Sequence, residues 1–276
     1  MASDLDEALF SHPFNHSAGQ SIQDIAIIGE RCSGTNFIRN LLAANFPKYR
    51  ICENLHEEIN GEYKNEYAHK HYFPWINLTQ FNIKKSDLDS NELDFLNGSN
   101  QTLFVFVVRD PYDWIRSFYA QPFGVHNALL GKGFWHFLTS QWTAPNREVW
   151  RTEKWNPYKG RPFKNVLELR EYKILNYLQA GLSVNHFLVI PYEKAAKHSE
   201  ELIEFASHFF SLEKSKDFSP MDYYKGWNKL GDFHKKQYLP FLKKELTFIN
   251  QNINWKVERL VGYTELNDMQ EIDNRN

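Results

Sequence analysis

Three short runs of apolar residues stand out along the chain: 25–29 (Ile-Ala-Ile-Ile-Gly), 103–108 (Leu-Phe-Val-Phe-Val-Val) and 186–190 (His-Phe-Leu-Val-Ile). Runs this short, β-branched and without polar alternation predict strands covered on both faces, as in a parallel sheet. Between them the apolar positions return at helical spacing. Phe37, Ile38, Leu41, Leu42 and Phe46 define a helix over 34–46 that Pro47 ends. Asp110-Pro111 supplies an N-cap and a first-turn proline for a helix to about Tyr119. Further helices are expected over 127–142, 164–180, 198–210 and 232–250, and a second extended segment over 67–73 before Pro74. Strands alternating with helices predict an α/β fold: three layers, with a central parallel β-sheet flanked by helices. Its ligands would bind at the carboxyl ends of the strands.

Residues 1–22 are unpatterned and read as a loose leader, and 266–276 as a polar tail. Residues 23–265 then form one domain, with a tryptophan-rich insertion at 122–162. A chain of 276 residues, 42% apolar and 24% charged, can bury a substantial core. A net charge of −2 gives no sign of a nucleic-acid partner, so any anion site must be a local concentration of basic groups. The chain has two cysteines and no run long enough for stable membrane insertion, and its N-terminus lacks a basic region followed by an apolar one. A cytoplasmic protein is the expectation; the oligomeric state has no sequence signal.

The chemistry concentrates where the first strand meets its helix. Gly29 and Gly34 keep the G-x-x-x-x-G spacing of a phosphate-cradling loop, but Thr35-Asn36 stands where a P-loop carries Lys-Ser or Lys-Thr. Backbone amides of such a loop and the helix start attract an anion. Ser33, Thr35 and Asn36 would add donors and Arg31 the charge, with Cys32 filling the tight loop. Arg109 ends the second buried strand, where a lone charge would be costly, and Ser117 follows eight residues later in the next helix. The two could grip one phosphate from opposite sides. His69, Lys70 and His71 lie on the extended segment, with the two histidines facing one way and the lysine the other.

These residues together resemble the sulfotransferase family that uses 3′-phosphoadenosine 5′-phosphosulfate (PAPS). Arg31-Cys32-Ser33-Gly34-Thr35-Asn36 is similar to that family's 5′-phosphosulfate loop, and Arg109 with Ser117 to its 3′-phosphate grip. Tyr192-Glu193 and the closing stretch from Asn254 to Tyr263 resemble further recurrent elements. The resemblance spans about residues 24–263 and implies a P-loop-like nucleotide-binding core, PAPS as donor and no metal. It also implies a catalytic histidine near a lysine: His71 first, His69 second, beside Lys70. The chain departs from the family where many members have a basic residue just before Ser-Gly-Thr; here Cys32 holds that place. Arg31 or Lys70 would then stabilise the leaving oxygen. The acceptor would be a small-molecule, glycan or lipid hydroxyl or amine, with Phe123, Trp135, Trp142 and Trp150 as walls of a lid. Lys225, Lys229, Lys235 and Lys236 read as a basic solvated face. Two other readings remain open: a degenerate P-loop kinase or NTPase, and a non-catalytic nucleotide-binding protein of the same fold.

Overall fold

A computed structural model describes residues 14–16, 21–52, 71, 99–145, 153–156, 158–182, 184–221 and 238–266. Five strands form one sheet: β1 (Phe14–His16), β2 (Asp24–Gly29), β3 (Arg50–Cys52), β4 (Thr102–Val108) and β5 (His186–Pro191), in the order β1-β5-β4-β2-β3. Strands β5, β4, β2 and β3 are parallel, and β1 runs antiparallel on β5. Every residue of β4 and β5 is buried, which is why these runs are apolar without alternation. The register pairs Gly29 with Val107 and Val108 with Pro191, so the carboxyl ends of the three long strands lie level.

The side chains divide by parity. Ile25, Ile27, Leu103, Val105, Val107, Leu188 and Ile190 pack against helices α1 (Thr35–Asn45) and α6 (Ser199–Phe210). On the other face Ala26, Ile28, Phe104, Phe106, Val108, Phe187 and Val189 meet α4 (Val166–Gly181) and α8 (Trp255–Leu260). The protein is therefore a three-layer α/β structure with a central sheet between helical layers. A third apolar cluster joins α2 (Pro111–Ala120), α3 (Phe134–Thr139), the first half of α4 and α7 (Lys243–Asn252) through Trp114, Phe118, Phe137, Trp142, Phe163 and Ile249. A short helix α5 (Tyr192–Lys197) follows β5 directly.

Local chemistry explains the helix starts. Asp110 accepts from the amides of Tyr112 and Asp113 at the start of α2, and Asn165 accepts from Leu167 and Glu168 at the start of α4. Three expectations change. Phe14–His16, inside the supposed loose leader, pairs with β5. The helix expected over 127–142 breaks into a short turn at Asn127–Leu129 and α3, because Gly131 and Gly133 adopt positive φ between them. The last long helix is seen from Lys243, and residues 222–237 lie outside the described residues.

Candidate functional site at the carboxyl edge of the sheet

The loop from Gly29 to Gly34 begins where β2 and β4 approach too closely for any side chain. A Cβ at Gly29 would lie 2.5 Å from the Val107 carbonyl oxygen. At the other end Gly34 has φ of 92°, and a Cβ there would meet the Tyr192 ring at 2.2 Å. Cys32 adopts φ of 62° without being glycine, a backbone conformation that costs about 1–3 kcal/mol and gathers at functional sites. Ser33 braces the loop internally: its amide and hydroxyl both donate to the Glu30 carbonyl, at 3.2 and 2.7 Å. The hydroxyl proton expected for a ligand is thus held inside the loop. The N-cap of α1 is Gly34, which has no side chain to cap it, and the first turn carries no acidic residue. Those first amides are left suited to an anion. Thr35 is buried there and Asn36 is half-buried.

Arg31 does not supply the expected charge to the loop. Its guanidinium is buried (3% exposed) and bonds Glu153 at 2.5 Å and the carbonyls of Phe123 and Gly124 at 3.3 and 3.0 Å. It also stacks over Phe118 and Trp142 at 4.7 and 5.4 Å. A cation neutralised by a buried carboxylate is a brace between the loop and the segment after α2. Cys32 points its thiol at the Gln121 carbonyl, 3.7 Å away.

Arg109 does come to the loop. Its Nη1 donates to the Cys32 carbonyl at 3.3 Å, and its guanidinium lies 5.3 Å from the Tyr192 ring. Its Nε lies 3.9 Å from Glu193 Oε1 and makes no hydrogen bond among the described residues. Burial works against the charge, but Tyr238, Asp113, Glu193 and Tyr192 outweigh it and hold the arginine pKa above its usual value. Ser117 is buried in α2, the helix that leaves this same strand end. Two other motifs also converge here. Glu193 accepts from the Asp110 amide (3.0 Å) and the Tyr263 hydroxyl (2.7 Å), and that hydroxyl lies 3.2 Å from the Val108 carbonyl.

His71 hangs from the first residue of the loop. Its Nδ1 lies 2.8 Å from the Gly29 carbonyl oxygen, and the residue is 8% exposed. A carbonyl only accepts, so Nδ1 carries the proton in the neutral ring and Nε2 becomes the basic nitrogen. His69 and Lys70 lie outside the described residues, as does Trp150. Among the other supposed lid residues, Trp142 is core (1% exposed), whereas Phe123 and Trp135 are exposed. Lys225, Lys229, Lys235 and Lys236 are likewise outside the described residues.

Sequence reasoning missed what lies beneath the loop. Glu30, Arg31, Glu153, Arg170, Lys173 and Glu258 are all buried, three acids with three bases. Arg170 forks onto Glu258 (2.6 and 2.9 Å) and reaches Glu30 at 2.7 Å and the Arg109 carbonyl at 2.8 Å. Lys173 pairs with Glu153 and donates to the His71 carbonyl at 2.6 Å. The available signal was two cations three residues apart on an otherwise largely apolar face of α4.

Burial raises the Glu30 pKa to about 7 despite the opposing pull of Arg170, Lys173 and Arg31. Between its ordinary value near 4.5 and about 7, the folded protein binds a proton that the unfolded chain has released. Stability therefore falls as pH rises through that window, by about 3 kcal/mol from this residue. Glu30→Gln should flatten the slope relative to wild type in urea unfolding at a series of pH values. An identical slope in both would remove Glu30 as its source.

No protein-family model matches the chain, and no curated protein matches it either. None of the described helices is long and apolar enough to cross a membrane.

Proposed function

We propose that the protein is a PAPS-dependent sulfotransferase acting on a hydroxyl or amine of a small-molecule, glycan or lipid acceptor. The observation that carries this reading is the meeting of three separate motifs at one sheet edge. Arg109 donates to the loop at Cys32, and His71 donates to the loop at Gly29. In this reading the loop amides and the uncapped start of α1 hold the 5′-phosphosulfate in a P-loop-like core, and Arg109 with Ser117 holds the 3′-phosphate. The acceptor oxygen attacks sulfur in line, a new S–O bond forms, and the bond from sulfur to the bridging phosphate oxygen breaks. His71 Nε2 takes the acceptor proton, and adenosine 3′,5′-bisphosphate leaves. Positioning and fixed dipoles supply most of the acceleration, and no metal enters the scheme. With Arg31 held by Glu153, charge on the leaving oxygen falls to the loop amides and to Lys70. Cys32 and Cys52, not joined in a disulfide, fit a reducing, cytoplasmic location.

The inward turn of Arg31 favours one second reading, a non-catalytic nucleotide-binding protein of the same fold. Transfer separates the two. Incubation with PAPS radiolabelled in its sulfuryl group should label a member of a broad hydroxyl and amine panel, with chelator present. Binding of adenosine 3′,5′-bisphosphate without transfer to any acceptor would support the second reading. Magnesium-dependent ATP binding, with no response to the bisphosphate, would instead indicate a degenerate P-loop kinase.

A further inference from the structure

Lys173 is 1% exposed and lies on the face of α4 that also carries Leu169, Arg170 and Ile174. Packing alone would be served by an apolar residue there, since moving an ammonium out of water costs several kcal/mol unless every partner is in place. The partners are specific. One is the carboxylate of Glu153, which also holds Arg31 of the loop at 2.5 Å. Another, among the described residues, is the main-chain carbonyl of His71, at 2.6 Å. Among the described residues His71 is thus held by its backbone on Lys173 and by its ring on the Gly29 carbonyl at 2.8 Å. The loop and the histidine are mounted on one buried carboxylate, through Arg31 on one side and Lys173 on the other.

We propose that Lys173 is a positioning residue for His71: by anchoring its main chain, it keeps the ring proton on Nδ1 against Gly29 and leaves Nε2 as the basic nitrogen. Which imidazole nitrogen is left basic is set by the hydrogen bond the other nitrogen makes, and that bond holds only while the main chain keeps Nδ1 against the Gly29 carbonyl. In this reading Lys173 acts through His71 rather than on the reactants. The proposal rests on the reading of His71 as the base for sulfuryl transfer, but the position of the ring proton can be measured without any acceptor.

The test is nitrogen–proton correlation spectroscopy of the full chain labelled with ¹⁵N-histidine, with the His71 signals assigned by their loss in His71→Gln. Wild type should show His71 protonated at Nδ1. Lys173→Met should lose that pattern and move toward protonation at Nε2, and Lys173→Arg should retain it. Affinity for adenosine 3′,5′-bisphosphate should be unchanged in Lys173→Met. Where an acceptor is in hand, kcat should fall about a hundredfold, as for a misplaced catalytic group, with KM for the donor held. If Lys173→Met does not fold, Lys173→Gln, neutral and one bond shorter than lysine, leaves the Arg31–Glu153 pair in place and should show the same loss of the Nδ1 pattern. A folded variant that keeps the wild-type pattern overturns the proposal. Failure of wild type to bind the bisphosphate would overturn the transferase reading instead, and the spectra would still decide what Lys173 does.

Discussion

Arg170→Met is expected to lower the unfolding free energy by about 3–5 kcal/mol, the cost of breaking a buried ion pair from one side. Arg170 is 1% exposed and serves two buried carboxylates, Glu258 and Glu30, with its guanidinium 4.8 Å from the Trp114 ring. Burial works against its charge, but Glu258 and Glu30 outweigh that and drive the arginine pKa up. Methionine fills much of the volume and leaves both acids without this partner. Glu30, already near neutral pH in its pKa, can escape by taking a proton; Glu258 loses the two-nitrogen fork that meets it. Against a typical total of about 5–15 kcal/mol, such a change is a large fraction of the stability. Arg170→Lys should recover only part of it, because an ammonium cannot reproduce the fork that meets Glu258 with two nitrogens. Urea unfolding followed by tryptophan fluorescence measures both variants, and an unchanged midpoint for Arg170→Met would mean that the network contributes nothing to folding.

His71→Ala is expected to slow sulfuryl transfer about 10²–10⁴-fold, the range for losing a positioned general base. The Gly29 carbonyl dictates a proton on Nδ1, so the ring presents Nε2 as the acceptor of a proton. Alanine removes that acceptor but touches neither Arg109 nor the amides at the start of α1. Affinity for adenosine 3′,5′-bisphosphate should therefore be preserved, which separates a catalytic loss from a collapse of the site. Single-turnover transfer from radiolabelled PAPS reads the rate. An unaltered rate would exclude His71 as the base, and loss in His69→Ala instead would move the role to that residue.

Much of the fold was legible because its strands are buried on both faces, and that leaves a plain mark: unbroken apolar runs at β2, β4 and β5. Capping chemistry was equally direct at Asp110 and Pro111, where one side chain satisfies two amides. Elements of three residues carry no such mark. Phe14–His16 is held by β5 rather than by its own pattern, and β3 is likewise too short for alternation to show. The glycines at 131 and 133 were visible, yet an apolar periodicity ran across them and suggested one helix where two positive φ values break it.

The site was legible in part for the same reason. Loop spacing and a charge at a strand end are local signals, and Arg109 does lie on the loop. Arg31 shows the limit. It is separated from Glu153 by 122 residues, and nothing near Arg31 in sequence says that a buried acid will draw its guanidinium away from the loop. Arg170 and Lys173 left only a weak mark for a related reason: a charged residue on a helix is normally solvated, and the tertiary structure turns these two under the sheet edge.

Calorimetric titration of adenosine 3′,5′-bisphosphate into wild type and Arg109→Ala tests the proposed site most directly. Wild type should bind, the variant should bind roughly ten- to hundredfold more weakly from loss of hydrogen bonds to a charged phosphate, and adenosine 5′-diphosphate, which lacks the 3′-phosphate, should show no such difference. Equal affinity of the two proteins for the bisphosphate would contradict the site as proposed.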